Sequence, residues 1–176
     1  FRVFFLMAGL FGLGAMLLWV LYLAALAAGG AATDMPFAMA PHMWHAHELV
    51  FGFGAAAMAG FLLTAVPNWT GAGGARRYFI ALAAGVWLLG RVAVGASGGL
   101  APGVVALVDL AFAPILAAKI AALLLRRPKP QNMVFLLFVL LFWLGNLVVH
   151  LDWIGVVDDM AGRGVRAGML ALLGMV

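Results

Sequence analysis

MWHAHELVFGFGAAAMAGFLLTAVPNWTG, Met43 to Gly71, is the stretch that decides the fold. Three histidines and a glutamate (His42, His45, His47, Glu48) stand at the mouth of an apolar run that ends at an Asn68-Trp69 pair. The run is about 20 residues long, the length that crosses a hydrocarbon core at about 1.5 Å per residue. Imidazoles gathered where hydrocarbon meets water are costly to keep unless something binds them. Imidazole is the commonest protein ligand for transition metals and for haem iron. The stretch therefore reads as a membrane span carrying a metal or haem site.

The whole chain has the same character. Of its 176 residues 67% are hydrophobic and 9% charged, against about 25% charged in soluble domains, and the mean hydropathy is +1.17. Apolar runs cover residues 3–28, 44–66, 78–97, 103–125 and 133–151, and a sixth covers 165–176. They lack the period-two alternation of a membrane β-barrel. The expected fold is all-α, a polytopic transmembrane helical bundle of five complete spans plus a truncated sixth, forming one domain over 1–176. The chain opens on Phe1 and stops at Val176 inside an apolar run, so it reads as a fragment. The net charge of +4 sits in short loops between spans, which fits membrane topology and not a nucleic-acid surface. With no cysteine, thiolate metal sites, iron–sulfur clusters and disulfides are excluded from this stretch.

Basic residues fix an expected orientation. Arg2, Arg76, Arg77, Arg126, Arg127 and Lys129 fall on one side, while Asp34 and the Asp152–Asp159 loop fall on the other, where Arg163 and Arg166 are the exceptions. The positive-inside rule then places the N-terminus in the cytoplasm. Span two starts on the outer side and span five ends there at His150, so all four histidines collect at one membrane face.

Within span two, His45, Glu48, Gly52, Ala55, Ala56 and Ala59 share a stripe at 100° per residue. Small residues on a stripe mark close helix contact in membranes, so His45 and Glu48 are expected to face the bundle interior. His47 lies about 160° away by the same geometry, and serves a second site or packs at the interface. His42, just after Pro41, belongs to the first turn or the loop. Met35, Met39 and Met43 interleave with the cluster; thioether and imidazole together suit Cu(I), although methionine is also ordinary membrane filler.

Arg91 and Asp109 are intramembrane charges. Arg91 lies ~20 Å from the inner end of span three and Asp109 ~10 Å from the outer end of span four, so the two meet in depth. An ion pair is the economical reading, because an unpaired charge there costs several kcal/mol. The alternative is that Arg91 and Arg166 hold the propionates of a haem. Lys119 is expected to snorkel, and Asn146, one turn before His150, to orient that imidazole. Apart from the Pro36–Pro41 loop, the spans read as uninterrupted.

The chain resembles the NnrS family. The resemblance rests on Phe1-Arg2-Val3-Phe4-Phe5, on Trp44-His45-Ala46-His47-Glu48 followed by Phe51-Gly52-Phe53, and on Gly60 through Gly71. It extends to Leu89-Gly90-Arg91, Val108-Asp109-Leu110, Asn132, Asn146 and His150. It implies a bacterial inner-membrane protein of about twelve helices, of which this would be the N-terminal half, containing haem and copper and linked to nitric oxide metabolism and nitrosative stress. The histidine cluster would then face the periplasm.

The expected function is a haem- and copper-binding membrane protein involved in nitric oxide metabolism or resistance to nitrosative stress. His45 and His150 are assigned to metal or haem ligation, His42 and His47 to a second metal or axial site, and Glu48 to orienting a ligand or relaying protons. Neither a catalytic residue nor an electron donor is assigned. The alternative is a proton- or ion-coupled transporter without a redox cofactor, using Glu48, His47, Arg91 and Asp109. A third reading is a scaffold whose histidines only pack.

Overall fold

The computed structural model describes residues 2–30 and 35–175; Phe1, Asp34 and Val176 lie outside them. Helices account for the ordered structure, with no strand among the described residues. In chain order they are α1 (Arg2–Ala27), α2 (Pro41–His47), a π-helical turn (Glu48–Phe53), α3 (Gly54–Thr70), α4 (Arg77–Gly95), α5 (Pro102–Leu110), α6 (Phe112–Leu124), α7 (Pro130–Ile154) and α8 (Ala161–Leu173). Five continuous helical stretches are long and apolar enough to cross a membrane: Arg2–Ala27, Pro41–Thr70, Arg77–Gly95, Pro102–Leu124 and Pro130–Ile154.

The ends follow local chemistry. Pro41, Pro102 and Pro130 open α2, α5 and α7, where a missing N–H removes no helical bond. Gly71 (φ +67°) and Gly155 (φ +81°) close α3 and α7 in the left-handed region that suits glycine. Asp152 caps α8, its Oδ2 accepting from the backbone N–H of Met160 (2.9 Å) and Ala161 (2.5 Å). That one carboxylate satisfies two donors that a helix start would otherwise leave open.

The second span is the hub. Its most apolar window is 67% buried, against 22% for α1, and Ala55, Ala56, Met58, Ala59, Leu62, Leu63 and Val66 are all in the core. The small-residue stripe lies inside, as its composition requires, but so does the opposite side through Phe51, Gly54 and Met58. The outer surface is the reverse of a soluble protein's: Leu6, Leu10, Leu13, Leu107 and Leu137 are exposed while Glu48, Arg91 and Asp109 are buried. This arrangement is stable only where hydrocarbon surrounds the bundle.

Two of the crossing helices are interrupted, contrary to the uninterrupted reading of the sequence. The π turn widens span two at Glu48–Phe53, marked by the bond from Gly54 N–H to Leu49 O five residues back. Span four loses a hydrogen-bond rung at Ala111, between α5 and α6, while Ala111 keeps helical dihedrals (φ −67°, ψ −28°). Pro114 has no N–H to offer Leu110 O, and the indole of Trp143 on α7 donates to that carbonyl instead, at 3.1 Å. Neither interruption shows in hydropathy, since both keep an apolar surface.

Helix α8 packs on α7 through bare backbone. A Cβ on Gly145 would lie 2.7 Å from Gly164 O and 2.9 Å from Gly168 N, and one on Gly168 would strike the Phe51 ring at 2.6 Å. Gly164-x-x-x-Gly168 is thus a close-contact seam of the kind that holds membrane helices together. Gly145→Ala should cost about 1–3 kcal/mol through overpacking, seen as a lower apparent Tm in detergent. Gly85→Ala, whose Cβ would meet nothing within 4 Å, should leave Tm unchanged or raise it.

Candidate metal centre

Three spans besides the hub bring their polar residues to one point. Arg91 comes from α4, Asp109 from the last turn of α5 beside the break, and Asn146 and His150 from one face of α7. His47 and Glu48 come from the junction of α2 with the π turn. His47 and His150 are fully buried, Glu48 is 1% exposed and Asp109 4%.

Arg91 bridges the two carboxylates. Its Nη1 donates to Glu48 Oε1 at 2.6 Å, and its Nη2 contacts Asp109 Oδ1. The expected Arg91–Asp109 pair is present, and Glu48 is a third member that depth counting along spans three and four did not include. On the other side of Asp109, Oδ2 accepts from Asn146 Nδ2 at 2.9 Å and from His150 Nε2 at 2.8 Å. His47 presents Nδ1 to Glu48 Oε1 at 2.8 Å and Nε2 to Asn146 Oδ1 at 2.9 Å. Asn146 thus orients His47 directly, and touches His150 only through the shared carboxylate.

Charge bookkeeping defines what the cluster can hold. One guanidinium against two carboxylates leaves one negative charge in a dry interior, where an uncompensated charge is strongly unfavourable. Both ring nitrogens of His47 face oxygen atoms, of Glu48 and Asn146. A metal cation between the imidazoles and Asp109 would balance the remaining negative charge. One ligand atom each from His47, Asp109 and His150 lies within 4.8 Å of the others. His150 Nδ1 is buried with no hydrogen-bond partner, which leaves a further lone pair at the site.

Packing fixes the rings. His47 and His150 meet edge-on with centroids 5.5 Å apart, His47 leans on Phe51 at 5.3 Å, and His150 stacks on Trp153 at 5.6 Å. Gly52 is the close-approach point: a Cβ there would lie 2.6 Å from Phe11, 3.0 Å from Arg91 Nη1 and 3.2 Å from Glu48 Oε2. Trp87 Nε1 donates to Gly52 O at 2.9 Å and so ties α4 to the π turn.

The remaining expected ligands are elsewhere. His45 is half-buried against α1, its ring stacked on Trp19 at 4.5 Å and 10°, and so does not share the interior position of Glu48. The π turn lies between His45 and the small-residue stripe at Gly52–Ala59 and advances less per residue, so a 100° wheel carried across it misaligns His45 with that stripe. His47 is the residue that turns inward, which the stripe argument placed on the opposite side. His42 is exposed, and so is Arg166, unlike the buried charges of the cluster. Met39 is buried and Met43 half-buried, both on a cavity of about 240 Å³ that also touches Val149, Asp152 and Trp153. Lys119 lies 5.5 Å over the Phe79 ring. Trp87 was not anticipated, although an indole four residues before an intramembrane arginine is a readable signal.

A helical membrane protein with a buried histidine–carboxylate centre between its spans is the class that this fold and site define. The chain belongs to the NnrS family: the family model described as NnrS protein matches residues 1–176. No curated protein and no solved structure matches it.

Removing the central cation should expose how tightly the cluster is coupled. Arg91→Met leaves two buried carboxylates without a counter-charge and should cost about 3–5 kcal/mol, measured as a fall in apparent Tm in lipid nanodiscs. Arg166→Met should leave Tm unchanged.

Proposed function

We propose that the chain is a copper-binding membrane protein of nitric oxide handling, with the metal held by His47, Asp109 and His150. The observation that carries this is the buried triad itself, three ligand atoms within 4.8 Å at a site one positive charge short. Two imidazoles and a carboxylate accept copper as they do zinc, nickel or non-haem iron, and the choice of copper among them comes from the family resemblance. Copper in its reduced state supplies a metal that binds nitric oxide directly. Around it, Asn146 fixes the His47 ring, Asp109 aligns both imidazoles, and Arg91 with Glu48 sets the local charge. Nitric oxide as ligand, and a role in resistance to nitrosative stress, come from membership of the family.

A haem does not fit among these histidines. The cavity beside the cluster is about 10 Å³, and the grooves of about 730, 370 and 240 Å³ are lined by no imidazole. Neither Arg91, committed to Glu48 and Asp109, nor the exposed Arg166 is placed for propionates beside the triad. Among the described residues, none of these cavities is lined by both His45 and His150, the pair expected to ligate haem.

For location we propose the bacterial inner membrane, with the N-terminus cytoplasmic and the histidine end towards the periplasm. The distribution of arginine and lysine between loops supports it.

Copper quantified on purified protein should fall below one fifth of the wild-type level in His47→Ala and in His150→Ala. In His42→Ala and His45→Ala it should persist. Full retention of copper by the first two variants, with correct insertion, sinks the assignment.

A second reading, proton- or ion-coupled transport without a redox cofactor, draws support from the two interrupted spans that meet at the charged cluster. It predicts proton-dependent uptake in proteoliposomes by a metal-free protein, with Glu48→Gln abolishing uptake.

A further inference from the structure

The centre is closed to water, yet a membrane-facing cleft reaches its wall. Between α6 and α7 lies a groove of about 370 Å³, lined by Ala113, Pro114, Ala117, Val139, Leu140 and Trp143. Pro114 and Leu140 are exposed on the bundle surface, and Ala113 stands midway between Pro102 and Leu124, the ends of its span. Among the described residues the groove therefore opens on the flank of the bundle at mid-span, and not at either end of it. Directly behind it is the cavity of about 10 Å³, bounded by Arg91, Asp109 and Asn146 of the cluster. Ala113 and Trp143 line both spaces, so one methyl and one indole stand between the groove and the cavity beside Asp109, the member of the triad that lines it.

We propose that a small uncharged apolar molecule enters the centre sideways from the membrane, through this cleft and past Trp143. The inner cavity holds about one water-sized molecule, which limits the occupant to a molecule of about that size. No side chain of the cleft offers a free polar group, since the indole N–H is committed to Leu110 O at 3.1 Å. An ion would have to shed its hydration there without compensation. A diatomic gas dissolves in hydrocarbon and loses nothing. The break in span four makes the partition: Pro114 frees the Leu110 carbonyl, and that carbonyl anchors the indole between groove and cavity. The route exists whatever the centre binds, and its use by nitric oxide rests on the function proposed above.

Xenon is a metal-independent probe of the path. The metal-free protein crystallised in lipid and pressurised with xenon should show anomalous density in the cleft beside Ala113 and Trp143, lost in Ala113→Phe. In Cu(I)-loaded protein, carbon monoxide rebinding after flash photolysis should slow at least tenfold in Ala113→Phe. Ala117→Leu, which narrows the cleft from its lipid side, should slow it less, and Trp143→Phe, which frees the partition, should accelerate it, with copper content equal in all. Absence of xenon from the wild-type cleft overturns the route. So does rebinding slowed by Ala161→Phe, which fills the cavity at the water-facing end, but untouched by Ala117→Leu. If the protein takes up no copper, the proposed function fails and the xenon experiment alone decides the path.

Discussion

Arg91 sits between Glu48 and Asp109 inside a protein that is otherwise oil, and the rest of the architecture is arranged around keeping that triplet together. Each carboxylate is also a hydrogen-bond acceptor for an imidazole or an amide, so four spans are tied through one cluster. In hydrocarbon a charge has no water to return to, and each member holds the others in place. The cluster thereby registers α4, α5 and α7 against the hub more specifically than apolar packing does, because lipid tails compete equally for apolar faces.

The two interrupted spans are part of the same solution. The π turn lets consecutive residues, His47 and Glu48, both reach inward, which a regular helix surrounded by small residues would not allow so directly. The break after Asp109 ends α5 where its carboxylate must meet three donors. Trp87 and Trp143 each donate an indole N–H to a carbonyl at these places, Gly52 O and Leu110 O. Irregular backbone at membrane depth is tolerated where protein groups satisfy it, and here indoles do so. Membership of the NnrS family places this arrangement in a class of membrane proteins, and the site's charge deficit gives that membership a chemical content.

Much of the fold was legible in the sequence. Apolar length gave the crossing helices, the prolines and glycines gave their ends, and the Gly52–Ala59 stripe gave a buried face. Matching depths paired Arg91 with Asp109 across a short turn. The polarity of the site was legible too, since His47, Glu48, Arg91, Asp109, Asn146 and His150 stand out against an apolar background. Which histidines converge was not. A helical wheel assumes a constant angle per residue, and the π turn from Glu48 to Phe53 breaks that assumption between His45 and the small-residue stripe, so His45 was expected at the interior position that His47 occupies.

The sequence by itself determined that this chain lives in a bilayer as a helical bundle, because hydropathy and helix rise are local properties that no partner can alter. It also determined that charged and imidazole groups must meet inside, because they have nowhere else to be satisfied. Only the tertiary structure decided that His47 and His150 share Asp109, that His45 stacks on Trp19 instead, and that Trp143 closes a path from the lipid. Those outcomes depend on a π turn, a helix break and the rotation of packed spans, and each is set by contacts between residues far apart in the chain.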